Sequence, residues 1–400
     1  MSSTQKQIVV VSQYMLHDVA DAEGKPDISE KHTHLDALDT FNHPRIRRAI
    51  TLQALADHPQ AVHILYQKPS HKDPTQIDLV ATYSKTQSQG VLTFFMTAWQ
   101  KWCDLGDARD PSSFLKHAPA VTASSATTTP TPLVPGVVPL PREAYQRPSQ
   151  NVMGQVGYYC TDTVTPVFDE LLVELQQDAA VLQHSLEILT KEQEMVVYAM
   201  PTHPGHHAAQ DSYGGYCYLN QAAHAAQSLL AKYDKVAVLD VDYHCGNGTA
   251  SIFRDSTQVL VVSLHCDPEY DYPFHAGFAD ENSSDATKGG VHHLPLPVNS
   301  NWKDQYQPAL ESGLKRIFEG FGAQALIVSL GLDTLQHDPV TLRRAGFALT
   351  TASGDYWEMG RLIRKYAGDA TPTLFLQEGG YKMDELGQAA ADVVTGFAAA

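Results

Sequence analysis

Short, unbroken apolar runs recur along the chain, and they limit the fold more than any other feature. Residues 8–11, 62–66, 236–239, 259–264, 326–330 and 373–376 are rich in Val, Ile and Leu, and each is too short for a buried helix. A strand that is apolar at every position buries both faces, as in parallel sheets covered by helices on either side. Longer stretches with helical spacing separate the runs: 44–57 behind a candidate cap at Asn42, 167–190, 219–233, 305–320, 351–366 and 384–397. The alternation predicts a doubly wound α/β chain, a mostly parallel central sheet with helices on both faces. With 400 residues, 43% of them hydrophobic, the chain can bury a large core, as one large domain or as two.

The formal charge is −17, from 28 Lys and Arg against 45 Asp and Glu. Such a surface repels phosphate, which argues against nucleic acid or an anionic membrane as partner and is compatible with cationic substrates. No run approaches the roughly 18 apolar residues of a membrane span. The opening segment, MSSTQKQIVVVSQ, reads as a first strand rather than a secretion signal. Five cysteines without a CxxC pair argue against a disulfide framework, so a reducing compartment, the cytoplasm, is the expected location. One stretch breaks the alternation: 111–150 is rich in Pro, Ser, Thr and Ala. It reads either as a linker or, because structureless stretches of this length are uncommon inside compact domains, as a functional or interface insertion.

Ligands of open parallel sheets bind at the carboxyl ends of the strands, and here several predicted strands run into reactive residues. VAVLD leads into Asp242, His244 and the Gly246-Asn247-Gly248 turn; LIVSLGL ends at Asp333; TLFLQ ends at Glu378-Gly379-Gly380-Tyr381. The segment 195–200 leads into PTHPGHHA, with His206 and His207 in tandem. Asp242 and His244, two apart in extended chain, share one side. With Asp333 they could hold zinc by three protein donors, leaving one position open; a turn cap and a packed imidazole are the plainer alternative. Adjacent imidazoles depress each other's proton affinity unless carboxylates compensate, so one could serve as a base near neutral pH. Tyr381, after two glycines, could donate to a developing oxyanion.

Together, PTHPGHHA, DVDYHCGNGT, SLGLDT and EGGY resemble the motifs of the zinc-dependent histone deacetylase superfamily. FFMTAWQKW, GQVGYYCTDT, DSYGGYCYLNQAAHAAQ and SLHCDPEYDYPF are similar to its bacterial acetylpolyamine amidohydrolase branch. The resemblance implies an arginase/deacetylase-like fold, a single domain over 1–400 with an insertion at about 111–150, and hydrolysis of acetylated amines. Protein acetyl-lysine is the alternative substrate. It implies Asp242, His244 and Asp333 as ligands of one zinc ion, or of ferrous iron, and His206 and His207 as the catalytic pair, backed by Asp240 and Asn247. Tyr381 becomes the catalytic tyrosine. Gly215, Tyr216, Phe274, Gly379 and Gly380 fall to substrate binding. Potassium falls to backbone carbonyls of Asp240, Asp242 and His244 with Ser263 and Leu264. The insertion implies a homodimer.

Two departures stand out. Cys245 replaces the usual second histidine of the metal motif, which predicts altered packing behind the site with activity kept. Met153 and Val164 fall where the branch carries acids that attract distant ammonium groups, which predicts only a modest preference for long polyamines.

Overall fold

The computed structural model describes residues 7–14, 44–59, 64–70, 73–105, 132–134, 146–191, 196–285, 287–341 and 346–399. Eight strands form one sheet in the order β2-β1-β3-β8-β7-β4-β5-β6, and every pairing in it is parallel. They are β1 (Ile8–Ser12), β2 (Ile64–Gln67), β3 (Val196–Met200), β4 (Val236–Asp240), β5 (Val259–Cys266), β6 (Gly290–Leu296), β7 (Ala325–Leu330) and β8 (Thr373–Gln377).

The two-faced burial inferred from the apolar runs is directly visible. Ile8 and Val10 of β1 belong to one core, with Ala237 and Leu239 of β4. Their neighbours Val9, Val11, Val236 and Val238 belong to a second core on the opposite face. Helices α1 (Pro44–Asp57), Asp355–Ala367 and Leu386–Ala399 supply the first core; Leu171–Lys191 and Gln221–Leu229 supply the second. Among the described residues, no helix is long and apolar enough to cross a membrane, and none of the five cysteines is in a disulfide.

Several elements escape the sequence reading, among them three that shape the surroundings of the sheet. β6 reads GVHHLPL, where two histidines and a proline interrupt the apolar run. It lies at the sheet edge, where one side of the ladder is open and a proline is tolerated. Helices Gln89–Asp104 and Val152–Tyr159 build a third apolar cluster beside the sheet, not upon it. Phe94 stacks there on Tyr213, and Phe95 meets Tyr213 and Tyr218 edge-on, so this cluster anchors the segment that carries Gly215 and Tyr216. The predicted helix from 167 instead begins at Leu171, because Val167 is drawn into an antiparallel bridge with Leu133. That bridge, with N–O distances of 2.7 and 2.8 Å, ties a short piece of the Pro-rich insertion to the body; most of the insertion, like Asn42, lies outside the described residues.

Candidate active site

Because β3, β8, β7 and β4 are adjacent and parallel, the reactive segments that follow them open on one edge. They line a cavity of about 210 Å³ with His206, His207, Asp242, His244, Asp333, Gly379 and Tyr381 in its wall.

Asp242, His244 and Asp333 each offer a donor atom within 4.8 Å of the other two, and all three are buried. Nδ1 of His244 lies 3.3 Å from Asp242 Oδ1 and 3.0 Å from Asp333 Oδ2. The chain holds both carboxylates from behind: the Gly379 N–H donates to Asp242 Oδ2 (3.0 Å) and the Tyr243 N–H to Asp333 Oδ1 (2.9 Å). Only glycine fits at 379, since a Cβ there would stand 2.5 Å from Asp333 Oδ2 and 2.7 Å from Asp242 Oδ2. Burial, and then the charge of Asp242, push the Asp333 carboxyl up to about 7. Two buried carboxylates and an imidazole in this arrangement are an anionic oxygen and nitrogen donor set with a position left open, which fits a divalent cation of the zinc class.

The tandem histidines have opposite environments. Nδ1 of His206 is 3.0 Å from Asp240 Oδ2, and its Nε2 is 3.7 Å from Asp242 Oδ2. Burial alone would lower its pKa, but Asp242 and then Asp240 outweigh burial and raise it to about 10. His207 is held well below the usual histidine range by burial, then by the neighbouring charges of His206 and His244. Its Nδ1 lies 2.7 Å from Asn247 Oδ1. An amide oxygen only accepts, so this hydrogen bond assigns the proton to Nδ1 and leaves the Nε2 lone pair free for a proton. The ring centroids are 3.9 Å apart.

Tyr381 is buried, with its ring 6.0 Å edge-on from Tyr216 and the Arg47 guanidinium 4.7 Å from its centre. Its backbone N–H donates to Asp338 Oδ2 at 2.7 Å. The sequence reading missed Asp338 and Arg47. It also assigned no role to Glu378, whose Oε2 accepts the Gly205 and His206 N–H groups at 2.6 and 3.2 Å and so fixes the histidine loop. Arg47 further donates to the Glu378 carbonyl.

The walls of the cavity include Gly215, Tyr216 and Phe274, as the sequence implied, with Tyr272, Asp162 and Asp271 in addition. Gly215 and Tyr216 turn with φ of 58° and 64°. Asp162 Oδ2 accepts the Gly215 N–H at 2.5 Å, and Thr165 Oγ1 accepts that of Tyr216 at 2.9 Å. A Cβ on Gly215 would meet His207 Cδ2 at 2.4 Å, so the turn can press on the base only as glycine. Tyr272 stands edge-on to His207 at 4.8 Å. Gly380 is not among the lining residues; a Cβ there would face Leu332 and Leu386, so its role lies in the turn. Val164 lines the cavity and is 52% exposed, whereas Met153 packs partly buried against the third apolar cluster. Ser263 pairs in register with Asp240 across β5 and β4, which brings strand positions of the implied potassium set side by side.

Asp271 was also unforeseen. It is buried, with Oδ1 3.8 Å from His244 Nε2 and accepting the Tyr272 N–H at 2.8 Å. With an ion held through Nδ1, the His244 proton would stand on Nε2, facing this carboxylate. Asp271→Asn is expected to weaken metal affinity by roughly 10- to 100-fold, the usual range for such partners; chelator competition that returns the wild-type value refutes this.

Residues 137–397 match the family model for the histone deacetylase domain. Acetylpolyamine amidohydrolase 2 of Pseudomonas aeruginosa is 36% identical over 315 residues, covering 78% of this chain and 81% of that protein. Acetylpolyamine amidohydrolase of Mycoplana ramosa is 34% identical over 318 residues, covering 79% and 83%. The crystal structure of the acetylpolyamine aminohydrolase of Burkholderia pseudomallei superposes with a TM-score of 0.73 over 98% of both chains at 24% identity.

Proposed function

From a chain that belongs to the histone deacetylase family, with acetylpolyamine amidohydrolases as relatives over most of its length, we propose an enzyme that hydrolyses acetylated amines, acetylated polyamines among them, to acetate and free amine. The observation that carries this reading is the juxtaposition in one cavity of the Asp242, His244 and Asp333 donor set, a neutral His207 and Tyr381. We assign the donor set to one zinc ion per chain.

When bound, that ion supplies Lewis-acid polarisation of the acetamide carbonyl. His207 Nε2 takes the proton of the attacking water, with Asn247 anchoring Nδ1. The Tyr381 hydroxyl donates to the oxyanion that forms. His207, now protonated on both nitrogens, passes a proton to the departing amine, since only the leaving group that gains a proton can depart as neutral amine. His206, paired with Asp240 and Asp242, keeps positive charge beside the carboxylates and disfavours premature protonation of its neighbour.

Backbone carbonyls around Asp240, Asp242, His244, Ser263 and Leu264 are proposed to hold potassium, and the 111–150 insertion to join two copies of the chain. Light scattering that returns a monomer overturns the dimer. Metal analysis with a panel of acetylated diamines, acetylated polyamines and acetyl-lysine peptides tests the function; hydrolysis of none of them by zinc-loaded protein refutes it.

Val164 sits at the cavity where a carboxylate would meet a distant ammonium group. In a largely solvated rim such a pair contributes up to about 1 kcal/mol, so Val164→Glu is expected to raise kcat/KM for acetylated polyamines by about 3- to 5-fold. Neutral acetamides should be unaffected. An equal change in both classes excludes electrostatic selection at this position.

A further inference from the structure

Cys245 breaks the tandem-histidine pattern of the family motif, and the catalytic arrangement does not use it. The residue is fully buried, with Sγ 3.7 Å from Nδ1 of His293 on β6. His265 on β5 completes the group: Cys245, His265 and His293 each present a donor atom within 4.8 Å of the others. The two imidazoles stand nearly perpendicular, at 74°, with centroids 5.5 Å apart. Zinc bonds of about 2.3 Å to sulfur and about 2.0 Å to nitrogen in tetrahedral geometry place those donors roughly 3.5 Å apart, close to the separation already found between Cys245 and His293.

The surroundings suit ligation. His265 Nε2 is 2.8 Å from the Gly277 carbonyl and Nδ1 is 2.8 Å from Ser263 Oγ. Whichever ring nitrogen gives its lone pair, the other therefore has an acceptor for its proton, the support that ligating histidines normally have. His293 turns its Nδ1 toward Cys245, so Nδ1 is the nitrogen placed to ligate, while its buried Nε2 has no hydrogen-bond partner with or without an ion.

We propose that Cys245, His265 and His293 form a second, structural transition-metal site of the zinc class. The thiol releases its proton to solvent as the ion binds and ligates as thiolate. Because the group is closed to solvent, the ion enters as the chain folds. It ties the loop after β4 to strands β5 and β6. That loop carries His244 and Asn247 on either side of Cys245, so the staple holds a metal ligand and the anchor of the general base.

The full chain, produced in cobalt-supplemented medium, tests this. Asp242, His244 and Asp333 contain no sulfur, so a thiolate-to-cobalt charge-transfer band in the near ultraviolet reports the cysteine site and not the catalytic one. The band should be present in the wild type and in Asp242→Ala, and absent in Cys245→Ser. By mass spectrometry of metals, Cys245→Ser should carry one ion fewer per chain than wild type. His293→Gln, which keeps a polar side chain of similar reach, should lose the same ion. Cys217 lies beside His206 and Glu378, so a band that survives Cys245→Ser overturns the proposal. A cobalt-loaded wild type with no thiolate band overturns it without any variant having to fold.

Discussion

Asp242→Ala is expected to yield a folded protein that holds no ion at the catalytic centre and hydrolyses acetylated amines no faster than background. A centre with three protein donors and one open position cannot spare one of them. Asp242 also does more than ligate. Its Oδ2 accepts the Gly379 N–H at 3.0 Å and lies 3.7 Å from His206 Nε2, and its Oδ1 accepts the His244 N–H at 2.9 Å. Asp242→Asn separates these roles, because it keeps the shape and an acceptor oxygen while removing the charge. Both variants should lose catalytic metal and turnover, with the alanine form losing thermal stability as well. Wild-type zinc affinity in either, read by chelator competition, refutes the ligand assignment.

Tyr381→Phe is the second large effect, and its signature is the reverse. Metal content should stay at the wild-type level while kcat falls by about 100- to 1000-fold, the typical consequence of losing one oxyanion donor. The deletion is clean on structural grounds. The ring contacts with Arg47 and Tyr216 survive in phenylalanine, and the hydrogen bond to Asp338 is made by the backbone. KM should change little, because the hydroxyl matters most where charge develops on the carbonyl oxygen. Turnover within a few-fold of wild type reduces Tyr381 to a wall of the cavity.

The elements legible in the sequence are those whose residues answer to one simple environment. β4 is apolar up to its terminal Asp240 and β7 apart from Ser329, because both faces are buried, and runs rich in Val, Ile and Leu follow from that. β6 is different: as an edge strand bonded only to β5 it tolerates His292, His293 and Pro295, which erase the pattern. The helix Gln89–Asp104 did carry a signal, since Val91, Phe94, Phe95, Ala98 and Trp102 fall on one buried face. It sits outside the strand–helix alternation, in a cluster that packs beside the sheet, so a reading organised by that alternation passes over it.

In the site, the candidate donors were legible in the sequence. Asp242, His244, Asp333 and Tyr381 follow strand ends in short segments whose glycines leave room for close approach, and parallel strands deliver such segments to one edge. How those groups are tuned and supported depends on contacts that form only in the fold. His206 and His207 are neighbours in sequence, yet against the same burial Asp242 and Asp240 from a different strand raise one, while burial, then His206 and His244, lower the other. Arg47 meets Glu378 across 331 residues of chain, Asp271 reaches His244 from the loop after β5, and Cys245 finds His265 and His293 on β5 and β6. Residue type and spacing fix which atoms can ligate or carry a proton. Burial and the charges brought within a few ångströms fix which of them do, and those distances exist only once the sheet has brought its strands together.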